Sequence, residues 1–203
     1  FLTQVLVDPD DPGFASPTKP VGPFYSREAA DDLIRSQGWR MMQSPGRGWR
    51  RVVPSPRPQE IVELHTIKDA VSHGHLIIAG GGGGVPVVRD SKGILRGIEA
   101  VIDKDLTACK LAVAIGAERF VILTDVPHVS TGFATRSERR IDRMRASAAR
   151  KLLAEGEFPP GSMGPKVEAS VIFAEATGRS AMITNVEQLK SALKDEAGTW
   201  IDP

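Results

Sequence analysis

Five consecutive glycines, Gly80, Gly81, Gly82, Gly83 and Gly84, follow the apolar run Leu76-Ile77-Ile78-Ala79. A stretch without side chains cannot anchor itself, so its flanks decide where it lies. An apolar run that closes on glycines predicts a buried strand over residues 75–79 opening into a bare loop. Such a loop lets backbone N–H groups come close to an anion, most often a phosphate. Ordering five glycines is costly in chain entropy, which favours an anion-binding role over a plain connection. The spacing is not that of a Walker A loop, because no Gly-Lys-Ser/Thr follows.

Two further segments point the same way. Asp103-Lys104-Asp105 opens a helical pattern over about residues 104–116. Read blandly it is an aspartate cap beside a solvated lysine. Read functionally it supplies a cation for a transferring phosphoryl group and a carboxylate to hold that cation. Gly161-Ser162-Met163-Gly164-Pro165-Lys166 opens a helix over residues 165–177 with Pro165 at its first position. Free N–H groups and the helix dipole favour an anion there, and Lys166 opposes the dipole unless an anion is bound. Three such loops suggest phosphoryl transfer. Thr18-Lys19-Pro20 is weaker by itself, a loop lysine that solvation would explain.

Composition excludes several classes. Hydrophobic residues make up 41% and charged residues 25%, as in ordinary globular proteins. Lys+Arg 26 against Asp+Glu 25 gives no general attraction to nucleic acid or membrane. No apolar run approaches the ~18 residues of a membrane span, and the N-terminus lacks a signal-peptide pattern. The single cysteine, Cys109, falls on the 104–116 pattern and is expected to pack in the core of a cytoplasmic protein. His65, His73, His75 and His128 have no metal-ligand spacing and read as structural or exposed, so no metal site is expected. The run from Phe1 to Val7 reads as a strand already under way, and the chain is expected to begin inside a larger fold.

Along the chain, residues 26–37 predict a helix capped by Ser26. Residues 39–42 and 49–53 predict a hairpin across Ser44-Pro45-Gly46. Residues 8–57 are expected to form a small lobe, with 1–7 and 58–203 forming an α/β domain. Helices are predicted at 59–73, at 137–155 with Ser137 as cap, and at 186–193. Strands are predicted at Phe120–Leu123, Ala181–Thr184 and Thr199–Ile201. Strands alternating with helices give an open αβα sandwich with a mostly parallel sheet. The glycines and Thr124-Asp125 would lie at its ligand-binding edge. The basic stretch Arg136–Arg150 includes Glu138 and Asp142 and reads as an ion-paired solvated face.

These segments together resemble carbamate kinase, of the amino acid kinase superfamily. The resemblance rests on Thr3-Gln4-Val5, Pro17-Thr18-Lys19-Pro20-Val21-Gly22-Pro23-Phe24-Tyr25, Arg51-Val52-Val53-Pro54-Ser55-Pro56, the glycine run with Val85-Pro86-Val87, Gly97 to Asp105, Leu123-Thr124-Asp125-Val126, and Gly161 to Ala169. It implies an open αβα sandwich with a protruding lobe. It also implies reversible phosphoryl transfer between ATP and carbamate, giving ADP and carbamoyl phosphate with Mg²⁺, often as ATP formation in arginine fermentation. By motif position, Lys104 and Lys166 would stabilise the transferring group and Asp105 would orient them. Lys19 would reach over carbamoyl phosphate, and Gly80–Gly84 would hold the carbamate side. Thr124, Asp125, Val126, Met163, Gly164 and Lys166 would line the nucleotide site. A homodimer is implied. The family's first strand ends in a Gly-Gly-Asn loop that this sequence does not contain, and the Arg136–Arg150 stretch differs from the family's sequences. Two other readings stay open: a non-catalytic nucleotide-binding or assembly module of this fold, and a related kinase acting on an acylated amino acid or a nucleoside monophosphate. The Pro-Thr-Lys-Pro segment argues against the latter.

Overall fold

Strand β1 (Gln4–Val7) alternates in burial, with Val5 and Val7 inside. This computed structural model describes residues 1–44 and 46–203. The chain divides into two units, residues 1–63 with 77–104 and residues 64–76 with 105–203.

The first unit holds β1, α1 (Pro12–Ala15), β2 (Lys19–Tyr25), α2 (Arg27–Gln37), β3 (Arg40–Ser44), β4 (Gly48–Val53), β5 (Pro58–Ile61), β6 (Val85–Arg89) and β7 (Leu95–Gly97). One sheet runs β5-β1-β6-β7, with β1 and β6 parallel and the outer pairs antiparallel. A second sheet runs β2-β4-β3, all antiparallel. The expected hairpin is β3–β4, paired from Arg40↔Val52 to Ser44↔Gly48; Pro45 of its turn lies outside the described residues. Helix α2 begins where Ser26 accepts from the Ala29 N–H at 3.2 Å and ends at Gly38 in the left-handed region. Buried aliphatics around this sheet are small (Ala30, Val52, Val53). Arginines cover its aromatic rings, with Arg51 4.4 Å above Trp39 and Arg27 5.0 Å above Trp49.

The second unit holds α3 (Leu64–Ser72), α4 (Lys104–Ala114, its first residue the last of the other unit), β8 (Phe120–Leu123), β9 (Val129–Thr131), β10 (Arg139–Ile141), β11 (Arg143–Arg145), α5 (Ala146–Ala154), α6 (Met163–Thr177), β12 (Ala181–Thr184), α7 (Leu189–Ala192) and β13 (Thr199–Asp202). Its sheet runs β11-β13-β12-β8, with β12 parallel to β8 and antiparallel to β13, and β11 parallel to β13. A separate antiparallel pair joins β9 and β10. Helix α6 is apolar nearly all round, burying Val167, Ala169, Val171, Phe173 and Ala174. Phe173 meets Phe120 of β8 at 5.3 Å between ring centres.

Several expected elements change. Residues 59–73 are not one helix: β5 pairs with β1 and α3 starts only at Leu64. The polar run Pro58-Gln59-Glu60 takes its conformation from its strand partner, which local pattern does not reveal. Residues 75–79 form no strand, since the parallel neighbour of β1 is β6. Leu76 and Ile78 are 97% and 83% exposed, so the buried strand expected before the glycines is absent. The helix expected from Ser137 begins at Ala146, after β10 and β11. The arginine-rich residues pair as strands, with Arg143 on Asp202 at 2.8 Å, and the Ser137 hydroxyl meets Thr135 instead of capping a helix. Helix α6 starts at Met163, so Pro165 is its third residue. The helix expected at 186–193 shortens to α7. Among the described residues no helix is long and apolar enough to cross a membrane.

Cys109 lies buried on α4 in the core that contains Phe173 and Val167. Burial pushes its thiol up to about 11, so the neutral form persists through physiological pH. Native protein at pH 8 should leave Cys109 unmodified by iodoacetamide, whereas unfolded chain is fully alkylated. Mass spectrometry reads the difference, and rapid native labelling would contradict the buried placement.

Candidate functional site

In the first unit, Lys19 opens β2, where it pairs in register with Val53 of β4. Its Nζ donates to Asp103 Oδ2 at 2.7 Å. The two side chains are 20% and 9% exposed, so this ion pair is largely withdrawn from water. Gly80–Gly84 turn back on themselves through a Gly83 N–H to Gly80 carbonyl bond of 2.8 Å. The Gly80 N–H donates to Thr3 Oγ1, and the Val85 N–H to the Thr3 carbonyl, which ties the run to β1.

The five glycines are not equivalent. At Gly83 (φ +128°) an added Cβ would fall 2.1 Å from the Ile102 carbonyl oxygen. At Gly84 (φ +87°) it would fall 2.5 Å from Val5 Cγ2. Both are required by close backbone approach and left-handed dihedrals. Gly81 and Gly82 meet nothing within 4 Å and line an open cavity with Phe1, Leu2 and Thr3. Packing therefore accounts for Gly83 and Gly84 and leaves Gly82 free to face a ligand.

In the second unit, Lys166 sits in the first turns of α6, 8% exposed, with its Nζ on Asp105 Oδ2 at 2.9 Å. The unfavourable cation at this helix start is answered by a carboxylate from α4. Gly164 is buried, and a Cβ there would press to 3.2 Å on the Pro159 carbonyl oxygen. Thr124, Asp125, Val126 and Met163 line one cavity of about 140 Å³ with His128, Ser130, Phe133, Phe158, Pro159 and Ser162. Lys104, between the two aspartates, is exposed at the start of α4.

The arrangement gives each unit one lysine held at short range by a buried aspartate. A buried pair is seldom worth more than apolar side chains of equal volume, so stability alone does not explain it. A fixed, poorly hydrated ammonium beside a helix N-terminus suits charge that develops on phosphoryl oxygens. Among the described residues no three carboxylate, imidazole or thiol groups converge into a metal cage. Mg²⁺ in phosphoryl transfer is held largely by substrate phosphates and water, a role that needs no such cage.

The profile of the Amino acid kinase family matches residues 19–185. The chain belongs to the amino acid kinase family. A carbamate kinase of Pyrococcus furiosus is 48% identical over 203 residues, all of this chain and 64% of the relative. A solved structure from Aeropyrum pernix superposes with a TM-score of 0.90 at 48% identity, covering 100% of this chain and 65% of that one. Carbamate kinase from Giardia lamblia bound to AMP-PNP matches with a TM-score of 0.86 at 42% identity, covering 100% and 64%. The chain thus spans slightly under two thirds of the length of these relatives, and the two solved structures share its α/β fold.

Sequence reasoning singled out both lysines but missed how Lys19 is held. Asp103 was legible as a helix cap or as a carboxylate beside Lys104, and not as the partner of a lysine 84 residues away. His128 and Phe133 carry no motif. Their only signal was position, just after Thr124-Asp125 at the end of β8.

The glycine run separates packing from ligand contact. Gly83→Ala should destabilise the protein by at least about 2 kcal/mol, from φ strain plus overlap. Gly82→Ala should unfold within about 0.5 kcal/mol of the parent. Thermal denaturation of both variants checks the assignment, and equal losses would contradict it.

Proposed function

We propose that the chain is the greater part of a carbamate kinase, catalysing reversible phosphoryl transfer between ATP and carbamate. The observation that carries this reading is 48% identity across every residue of the chain to a protein of that activity. The lysine–aspartate pairs and the AMP-PNP bound by the Giardia relative support it.

In the ATP-forming direction a terminal oxygen of ADP attacks the phosphorus of carbamoyl phosphate. The bond from phosphorus to the carbamate oxygen breaks, and carbamate leaves with that electron pair. The protein's part is positioning and charge neutralisation. Lys166, steadied by Asp105, offsets charge on the transferring oxygens, and Lys104 adds a second cation. Lys19, steadied by Asp103, neutralises the carbamoyl end. Gly81 and Gly82 offer bare backbone to the carbamate side. Thr124, Asp125, Val126, Met163 and Gly164 form the nucleotide side. Mg²⁺, when bound with the nucleotide, would supply charge neutralisation to its phosphates. ATP formation in arginine breakdown, a cytoplasmic setting and a homodimer accompany this reading on the strength of the resemblance.

The test is ATP formation from ADP, Mg²⁺ and carbamoyl phosphate, with acetyl phosphate as the competing acyl phosphate. Carbamoyl phosphate is expected to be the better donor. Lys166→Met should lower turnover at least about 10²-fold, the scale of losing one charge-stabilising donor. A folded protein with no carbamoyl phosphate-dependent ATP formation, or one indifferent to Lys166→Met, would reject the reading.

A further inference from the structure

Strand β4 places Arg51 and Val53 two residues apart, so both side chains leave the same face. Lys19 of β2 lies opposite Val53 in the ladder, and Val21 lies opposite Arg51. Lys19 and Arg51 therefore project from one face of the β2-β4-β3 sheet. Both reach the same short segment, residues 99–103. Arg51 pairs with Glu99, and Lys19 pairs with Asp103 at 2.7 Å. Midway between them the Val101 N–H donates to the Pro54 carbonyl at 2.9 Å, one residue beyond Val53. Ties at residues 99, 101 and 103 thus fasten the sheet to the segment that carries Asp103.

These ties differ in stiffness. A lysine has a flexible four-carbon stem, so its ammonium can stay on Asp103 over a range of sheet orientations. That pair alone does not fix where the Lys19 Nζ lies. The arginine fork is planar, and Arg51 is gripped twice: its guanidinium stacks 4.4 Å above the Trp39 ring and pairs with Glu99. Trp39 is itself met edge-on by Tyr25, with ring centres 6.4 Å apart. The Glu99 side chain is 73% exposed, and an exposed ion pair adds little to stability. What the pair contributes is geometry, because it sets the angle at which the sheet meets residues 99–103.

We propose that Arg51 is a positioning residue for Lys19, acting through Glu99 and Trp39, so that the ammonium is presented to the acyl phosphate at one fixed place. This rests on the kinase reading above. Arg51 touches no reacting atom in this role; it holds the strand from whose face Lys19 reaches out. Misplacing a charge-bearing group by a fraction of its reach costs far more in rate than in stability. The arginine is required as such, since a lysine at position 51 would lack the planar fork that meets Glu99 while lying flat on Trp39.

The experiment reads Lys19 in two ways, in the parent chain and in Arg51→Gln, Glu99→Gln and the double variant. The first is the rate of acetylation by acetic anhydride, followed by peptide mass spectrometry against the exposed Lys92. Lys19, paired and largely withdrawn from water, should react slowly in the parent. Each single change should speed its acetylation about 3-fold or more, the scale of coupled neighbours. The double variant should match the singles, because both changes break one tie. Glu99→Gln, at an exposed side chain, should keep the parent's melting temperature, which separates positioning from folding. The second readout is ATP formation, where Arg51→Gln should raise KM for carbamoyl phosphate about 10-fold and leave KM for ADP unchanged. Unchanged acetylation of Lys19 in both single variants, or equal rises in the two KM values, would overturn this inference and leave the kinase reading standing. A parent chain that forms no ATP from carbamoyl phosphate would reject the kinase reading, and the acetylation rates would still decide whether Arg51 positions Lys19.

Discussion

An ammonium group taken out of water must be answered by charge, and the second unit is organised around one such group. Lys166 lies in a helix that is apolar on nearly every side, at an end whose dipole repels it. Asp105 answers that charge from the start of α4 at 2.9 Å. The cost of dehydrating both ions is several kcal/mol each, and their attraction offsets this only with good geometry. The apolar face of α6 against β8 and β12 fixes that geometry through Phe173, Phe120 and Ile183. The core holds the pair, and the pair leaves a positioned cation at a helix N-terminus.

The same economy of position governs the first unit. Lys19 is held at the start of β2 by Asp103, while Ile102, the residue before that aspartate, lies against Gly83. One short segment thus serves both the cation and the glycine turn. The absence of a side chain at Gly83 is a steric requirement, because even a methyl group would overlap a carbonyl oxygen. Gly82 meets no such limit, so a bare backbone there has another cause, and approach of a substrate supplies one.

Much of this was readable in the sequence where local chemistry determines local structure. Ser26 and Gly38 bracket α2 as capping rules require, and the unbroken apolar Phe120–Leu123 and Ala181–Thr184 pair as parallel strands. The candidate lysines stood out because their neighbours were unusual. What was not legible depends on distant partners. Residues 75–79 look like a core strand, yet they have no ladder and expose Leu76 and Ile78. The arginine-rich stretch reads as a helix, yet β9 and β13 recruit it into strands. Phe133 could not be singled out, since only the fold brings its exposed ring to the cavity that Thr124 and Asp125 line.

We infer that the buried Lys166–Asp105 pair is retained for chemistry and not for stability. The most direct test is the unfolding free energy of Lys166→Met beside that of the double variant Lys166→Met/Asp105→Leu, read together with ATP formation from carbamoyl phosphate. The single change should cost about 3–5 kcal/mol by stranding a buried carboxylate. The double change should recover most of that loss while turnover stays absent. A double variant that is as unstable as the single one, or that retains turnover, would show that the pair serves stability instead.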